Sequence, residues 1–77
     1  NNDQDRLIYP NPSASEFVLE NHSAGMVEVL SCCGVIIDRW NVENDSTIRF
    51  GANYTPGIYF VKIYSGDEVY VKKILKK

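Results

Sequence analysis

The chain has a single histidine, His22, and two cysteines, Cys32 and Cys33, that are adjacent in sequence. A lone histidine in a turn-forming stretch has no partner at metal-ligand spacing, so no zinc motif is present. Neighbouring cysteines on a strand point to opposite faces, bridge each other poorly and form no C-x-x-C. With no third thiol, a long-range disulfide within the chain is excluded. One thiol is expected to be buried as a small apolar residue and the other to be more exposed. Asp3 and Asp5 lack the glycine and bidentate glutamate of a calcium loop. No glycine loop that cradles phosphate is found, and serine, cysteine and histidine form no nucleophile motif. No catalytic residue, cofactor or metal is therefore expected. No apolar run is long enough to span a bilayer, and no basic–apolar leader opens the chain.

Charge of one sign is also scarce. The net charge is −2, and the sequence pI is near 5.2. A nucleic-acid binder needs a basic face to neutralise phosphates, so that class is excluded. The charge is unevenly spread: residues 62–77 hold five lysines against Asp67 and Glu68, a net +3, which leaves −5 on residues 1–61. Lysines on a terminal strand read either as a solvated edge that repels neighbours or as a patch that steers acidic partners.

What is present is enough for one small core. A chain of 77 residues makes one domain, buries only about 60% of its unfolded surface and is stable by roughly 4–12 kcal/mol. The chain is 44% hydrophobic and 12% aromatic, which argues against disorder. No helical periodicity is sustained. Short alternating or β-branched runs recur instead, broken by turn residues. Leu7-Ile8-Tyr9 is stopped by Pro10-Asn11-Pro12, since proline cannot donate to a ladder. Residues 16–20 put Phe17 and Leu19 on one face. Residues 26–31 point Val27 and Val29 inward. Gly34 is expected at positive φ in a tight turn. Residues 35–42 put Val35 and Ile37 on one face and Ile36 and Trp40 on the other. Residues 46–50 point Ile48 and Phe50 inward. A loop over residues 51–56 leads to a terminal hairpin, Gly57-Ile58-Tyr59-Phe60-Val61-Lys62-Ile63-Tyr64 and residues 68–77, joined at Ser65-Gly66-Asp67. About seven short strands at regular spacing predict an all-β fold, an immunoglobulin-like antiparallel β-sandwich.

Two surface readings remain open on the residues alone. Trp40, Tyr54, Tyr64 and Tyr70 either form a carbohydrate platform or cap the core with ring in and polar tip out. Asn21, Asn44 and Asn53 each open an N-x-S/T triplet, which matters only in a host that glycosylates it.

Three blocks in order carry a family resemblance: Tyr9-Pro10-Asn11-Pro12; the turn glycine Gly34; and Gly57-Ile58-Tyr59-Phe60-Val61-Lys62 followed by Lys72-Lys73-Ile74-Leu75-Lys76-Lys77. Over residues 7–77 the chain resembles the type A C-terminal sorting domain of the Bacteroidetes type IX secretion system. The family has a D-x-x-G turn with a large apolar second residue; here Ser31 and Cys32 stand in those places. Serine still caps a turn through its hydroxyl, and Cys32 is a smaller core filler.

The resemblance implies a non-catalytic secretion signal at the end of a larger protein. Residues 1–6 would be the linker to an upstream passenger, open to a sortase-like peptidase. Residues 7–77 would be recognised in the periplasm by shuttle proteins and an outer-membrane translocon, leaving the passenger at the cell surface or outside the cell. Gly57, Tyr59, Val61, Lys62, Lys72, Lys73, Lys76 and Lys77 are the implied recognition residues. Tyr9, Pro10, Asn11, Pro12 and Gly34 are the implied structural ones. The terminal lysines are expected to be exposed. The competing readings are a small immunoglobulin-like glycan- or protein-binding module accessory to a secreted enzyme, and a structural domain that self-associates through an edge strand.

Overall fold

The computed structural model describes residues 6–77. Seven strands follow in chain order: β1 (Arg6–Tyr9), β2 (Phe17–Asn21), β3 (Gly25–Ser31), β4 (Ile36–Val42), β5 (Ser46–Phe50), β6 (Gly57–Ser65) and β7 (Glu68–Lys76). They form two sheets, one of order β1-β2-β5 and one of order β4-β3-β6-β7. All five strand pairings are antiparallel. The fold is the expected all-β, immunoglobulin-like sandwich. The reading of Asp3 and Asp5 and most of the linker lie outside the described residues. Arg6, grouped with the linker from sequence, opens β1 opposite Asn21.

The period-two pattern places the core. Phe17 and Leu19 from one sheet meet Val27, Val29, Tyr59, Val61, Ile63 and Ile74 from the other, all buried. Val42 and Phe50 complete the cluster, and Trp40, Ile48, Tyr54 and Tyr70 pack against it. Burying each large aliphatic or aromatic side chain contributes about 1.5–3 kcal/mol, so this one layer supports the whole domain.

Two expectations need correction. A register shift falls between Val29 and Leu30, so that Asp38 lies opposite Val29 but Ile36 lies opposite Leu30. This bulge inserts one residue and reverses the side-chain alternation beyond it. Trp40, opposite Val27, therefore faces the core. Ile36 is on the other, outer face, and Ile36 and Ile37 are both exposed. The second correction concerns the thiols. Cys32 and Cys33 are both free and exposed, because the β3–β4 turn carries them past the end of the sheet. Cys32 fills no core. The turn itself forms as expected: Gly34 has φ +85°, and the Ser31 hydroxyl accepts from the amides of Cys33 (3.2 Å) and Val35 (3.3 Å).

The link from β1 to β2 leaves its own sheet and runs to the far side of the sandwich. Ser13 bridges in parallel to Lys76 at the free edge of β7. The last residues of β7 are thus bound by a segment from near the start of the chain.

Candidate recognition site

Strand register gathers the sequence blocks at one end of the four-stranded sheet. Ser31, before the Gly34 turn, lies opposite Tyr59 of β6, and Tyr59 lies opposite Ile74 of β7. The Gly34 turn, the start of β6 and the end of β7 are therefore neighbours. Tyr9-Pro10-Asn11-Pro12 reaches the same place. Both of its X-Pro bonds are cis. The Asn11 carboxamide donates to the Lys73 carbonyl (3.0 Å) and accepts from the Leu75 amide (3.0 Å). A side-chain amide carries the same donor and acceptor as a peptide group, so Asn11 stands in for a strand residue on the edge of β7. Backbone completes the seam: the Ser13 amide donates to Leu75 O (3.0 Å), and the Lys77 amide donates to Ser13 O (2.8 Å). Asn11, Pro12, Ile58, Lys73, Ile74 and Leu75 line a shallow groove there.

Asn11→Ala removes both edge contacts without touching the core. Its expected cost is about 1–2 kcal/mol. The Leu75 amide, which bonds directly to Asn11, is expected to exchange with deuterium about tenfold faster. Exchange of Leu75 unchanged while the global melting temperature holds would contradict the role given to Asn11.

Lys76 departs most from expectation. It is only 4% exposed. Its ammonium donates to three backbone carbonyls: Ser15 O, Gly51 O (2.6 Å) and Ala52 O (3.2 Å). Alternation along β7 explains this, because Lys76 shares the inward face with Ile74. The carbonyls come from the β1–β2 link and from the loop after β5, so one cation ties three segments together. Its ammonium is engaged within the fold, and the expectation of an exposed residue is corrected. Gly51 supports the arrangement at φ +86°, where an added Cβ would stand 2.9 Å from the Phe17 ring. Ser13 was not singled out in the sequence, yet it is buried; its hydroxyl donates to Glu16 O (2.7 Å) and accepts from the Ser15 amide (3.2 Å).

The other implied recognition residues divide by burial. Tyr59 and Val61 are core residues, and the Tyr59 hydroxyl donates to Thr55 O (2.5 Å). Gly57 opens β6 at φ +153°. Lys62 and Lys72 are half-buried, whereas Lys73 and Lys77 are exposed. Lys62 lies opposite Glu28 on the outer face. Glu28 is itself buried and accepts from Tyr64 Oη (2.9 Å) and Arg39 Nε (3.0 Å). The Tyr64 hydrogen bond, helped by Arg39, holds the Glu28 carboxyl below its usual range, and the same bond raises the Tyr64 hydroxyl against the opposing charge of Arg39. Around this charged centre the outer face is apolar and exposed: Ile36, Ile58, Val69, Val71 and Leu75 are each more than 40% accessible.

The aromatics form no platform. Trp40, Tyr54 and Tyr70 pack against the core. Tyr54 lies between the Phe50 and Tyr59 rings and donates to Asp38 (2.8 Å). Burial, then the Asp38 bond, pushes its hydroxyl well above the usual range. Of the N-x-S/T asparagines, Asn21 is buried, its amide donating to Ser23 O (2.5 Å) and Glu43 O (3.0 Å). Among the described residues no cluster of three or more potential metal ligands occurs, and no helix is long and apolar enough to cross a membrane.

A family model described as a secretion system C-terminal sorting domain matches residues 7–77. No curated protein matches the chain.

Proposed function

Since the chain belongs to the type IX secretion C-terminal sorting domain family, we propose that it acts as a non-catalytic export signal for a passenger joined to its N-terminal side. The family match over residues 7–77 carries this reading. In it, the passenger crosses the inner membrane by a separate signal, the folded domain is recognised in the periplasm by shuttle proteins, and the outer-membrane translocon takes it to the cell surface or beyond. A sortase-like peptidase then cuts at the linker that precedes β1.

Recognition belongs to the end of the sheet where the blocks meet. The surface offered there is Asn11, Pro12, Ile58, Lys73, Leu75 and Lys77, apolar groups beside ammonium groups. Such a surface suits a partner that presents acidic and apolar side chains together. Tyr59, Val61 and Lys76 act in this reading by holding the surface in shape. Lys73→Glu with Lys77→Glu is the corresponding test. Both side chains are exposed, so the melting temperature is expected to stay within about 4 °C. Export of a fluorescent passenger is expected to fall severalfold in a host with a type IX system. Undiminished export would remove the lysines from the recognition surface.

Gly57→Val probes the same end through the backbone. An added Cβ meets nothing within 4 Å, but φ +153° disfavours any L side chain. The expected loss is about 1–3 kcal/mol, read as a lower urea midpoint with reduced export. Wild-type stability and export would contradict it.

A further inference from the structure

The β7 edge carries a self-complementary charge pattern, of which the sorting reading uses only Lys73. The sequence Asp67-Glu68-Val69-Tyr70-Val71-Lys72-Lys73 is complementary to itself when reversed about Tyr70. Two copies laid antiparallel with Tyr70 opposite Tyr70 pair Val69 with Val71, Glu68 with Lys72 and Asp67 with Lys73. Each pair occurs twice by symmetry. A shift of one residue would set outward-facing residues opposite inward-facing ones, and a shift of two would set Lys72 against Tyr70 or Gly66 and lose the matches.

The backbone permits this register. β7 is an edge strand. Leu75 turns both its amide and its carbonyl away from β6, toward Ser13 and Asn11, and the Lys73 carbonyl also turns outward, to Asn11. Alternation then turns the amides and carbonyls of Val69 and Val71 outward too. An antiparallel pair needs outward-facing residues opposite each other, and Val69 opposite Val71 meets that need, giving four main-chain hydrogen bonds across the two-fold axis. The Asn11 and Ser13 seam covers the edge from the Lys73 carbonyl onward, so it leaves the main chain of residues 67–72 open, with the exposed Lys73 side chain beside it. Val69 and Val71 are 52% and 56% exposed, and both become partly covered. Lysines on an edge ordinarily repel another strand; here the second copy supplies acids at the same positions.

We propose that the chain forms a two-fold dimer through β7–β7 pairing centred on Tyr70, joining two four-stranded sheets into one of eight strands. The contact is small for a stable interface, so the dimer is weak and concentration-dependent. Opposite-charge cross-strand pairs stabilise the pairing, and like charges directly opposite destabilise it.

The test is sedimentation equilibrium of the 77-residue chain at low salt, which needs no secretion machinery and stands or falls apart from the sorting reading. Wild type is expected to dimerise as concentration rises toward the millimolar range. Lys72→Glu with Lys73→Glu is expected to weaken dimerisation at least about tenfold, corresponding to about 1.4 kcal/mol. Adding Asp67→Lys and Glu68→Lys exchanges the two ends and is expected to restore it. The exchanged chain is also expected not to pair with wild type, because every charged pair would then be of like sign. A wild type that stays monomeric at about 1 mM would overturn the proposal. So would a dimer that ignores the charge reversal, since that dimer uses another surface.

Discussion

Lys76→Met is expected to lower the melting temperature of this domain by about 12–24 °C. The side-chain length is nearly kept, but three backbone carbonyls lose their donor, that of Gly51 in a buried contact and those of Ser15 and Ala52 in part-buried ones. Leaving such groups unpaired costs about 3 kcal/mol in total, and in a domain this small each kcal/mol moves the midpoint by roughly 4–8 °C. Lys77→Ala is expected to shift it by less than about 4 °C, because Lys77 is exposed. Removal of both terminal residues therefore costs stability through Lys76 and also takes the exposed Lys77 from the proposed recognition surface. The expectation from sequence that the terminal lysines are exposed thus holds for Lys77 and fails for Lys76. Calorimetry on the two single variants checks it. A Lys76→Met midpoint within a few degrees of wild type would show that the ammonium contributes little.

Gly25→Ala is expected to destabilise by about 3 kcal/mol or more. An added Cβ would lie 1.8 Å from the carbonyl oxygen of Tyr64, and a contact this short forces backbone to move. Because the obstacle is main chain, no rotamer change relieves it. β3 must separate from β6 beside the Met26–Tyr64 pair, losing ladder bonds next to the Glu28–Tyr64 contact. A large loss from a half-buried strand glycine follows from overpacking against main chain. Guanidinium unfolding reads it as a lower midpoint at unchanged slope. A midpoint equal to that of wild type would mean the strand end frays without cost.

Most of the architecture was legible because strand periodicity is local. Phe17 with Leu19, Val27 with Val29, and Ile48 with Phe50 follow from alternation alone. Gly34 and the terminal hairpin follow from turn chemistry. The β4 faces were not legible. A bulge at Val29–Leu30 reverses the pattern, and no residue type marks it. The burial of Lys76 was half legible: it has the same parity as Tyr70 and Ile74, yet charge suggested solvent. Only the folded chain reveals the carbonyls of Ser15, Gly51 and Ala52 around its ammonium.

The meeting of the Tyr-Pro-Asn-Pro block with the terminal lysine block was not legible at all. Asn11 and Lys73 are 62 residues apart, and local pattern says nothing about contacts at that separation. Their contact gives the two blocks a shared physical reason. One supplies the edge strand, and the other covers half of it. Exposed edges invite unwanted pairing, and the Asn11 seam limits where β7 can accept a partner.

The most direct measurement is translocon-dependent export. Residues 1–77 are fused behind a fluorescent passenger that carries an inner-membrane signal, and the fusion is expressed in paired strains with and without the type IX outer-membrane translocon. Passenger at the surface or in the medium of the first strain, with periplasmic retention in the second, is the expected result. Equal retention in both strains, with the domain folded, would contradict the assignment of this chain as a sorting signal.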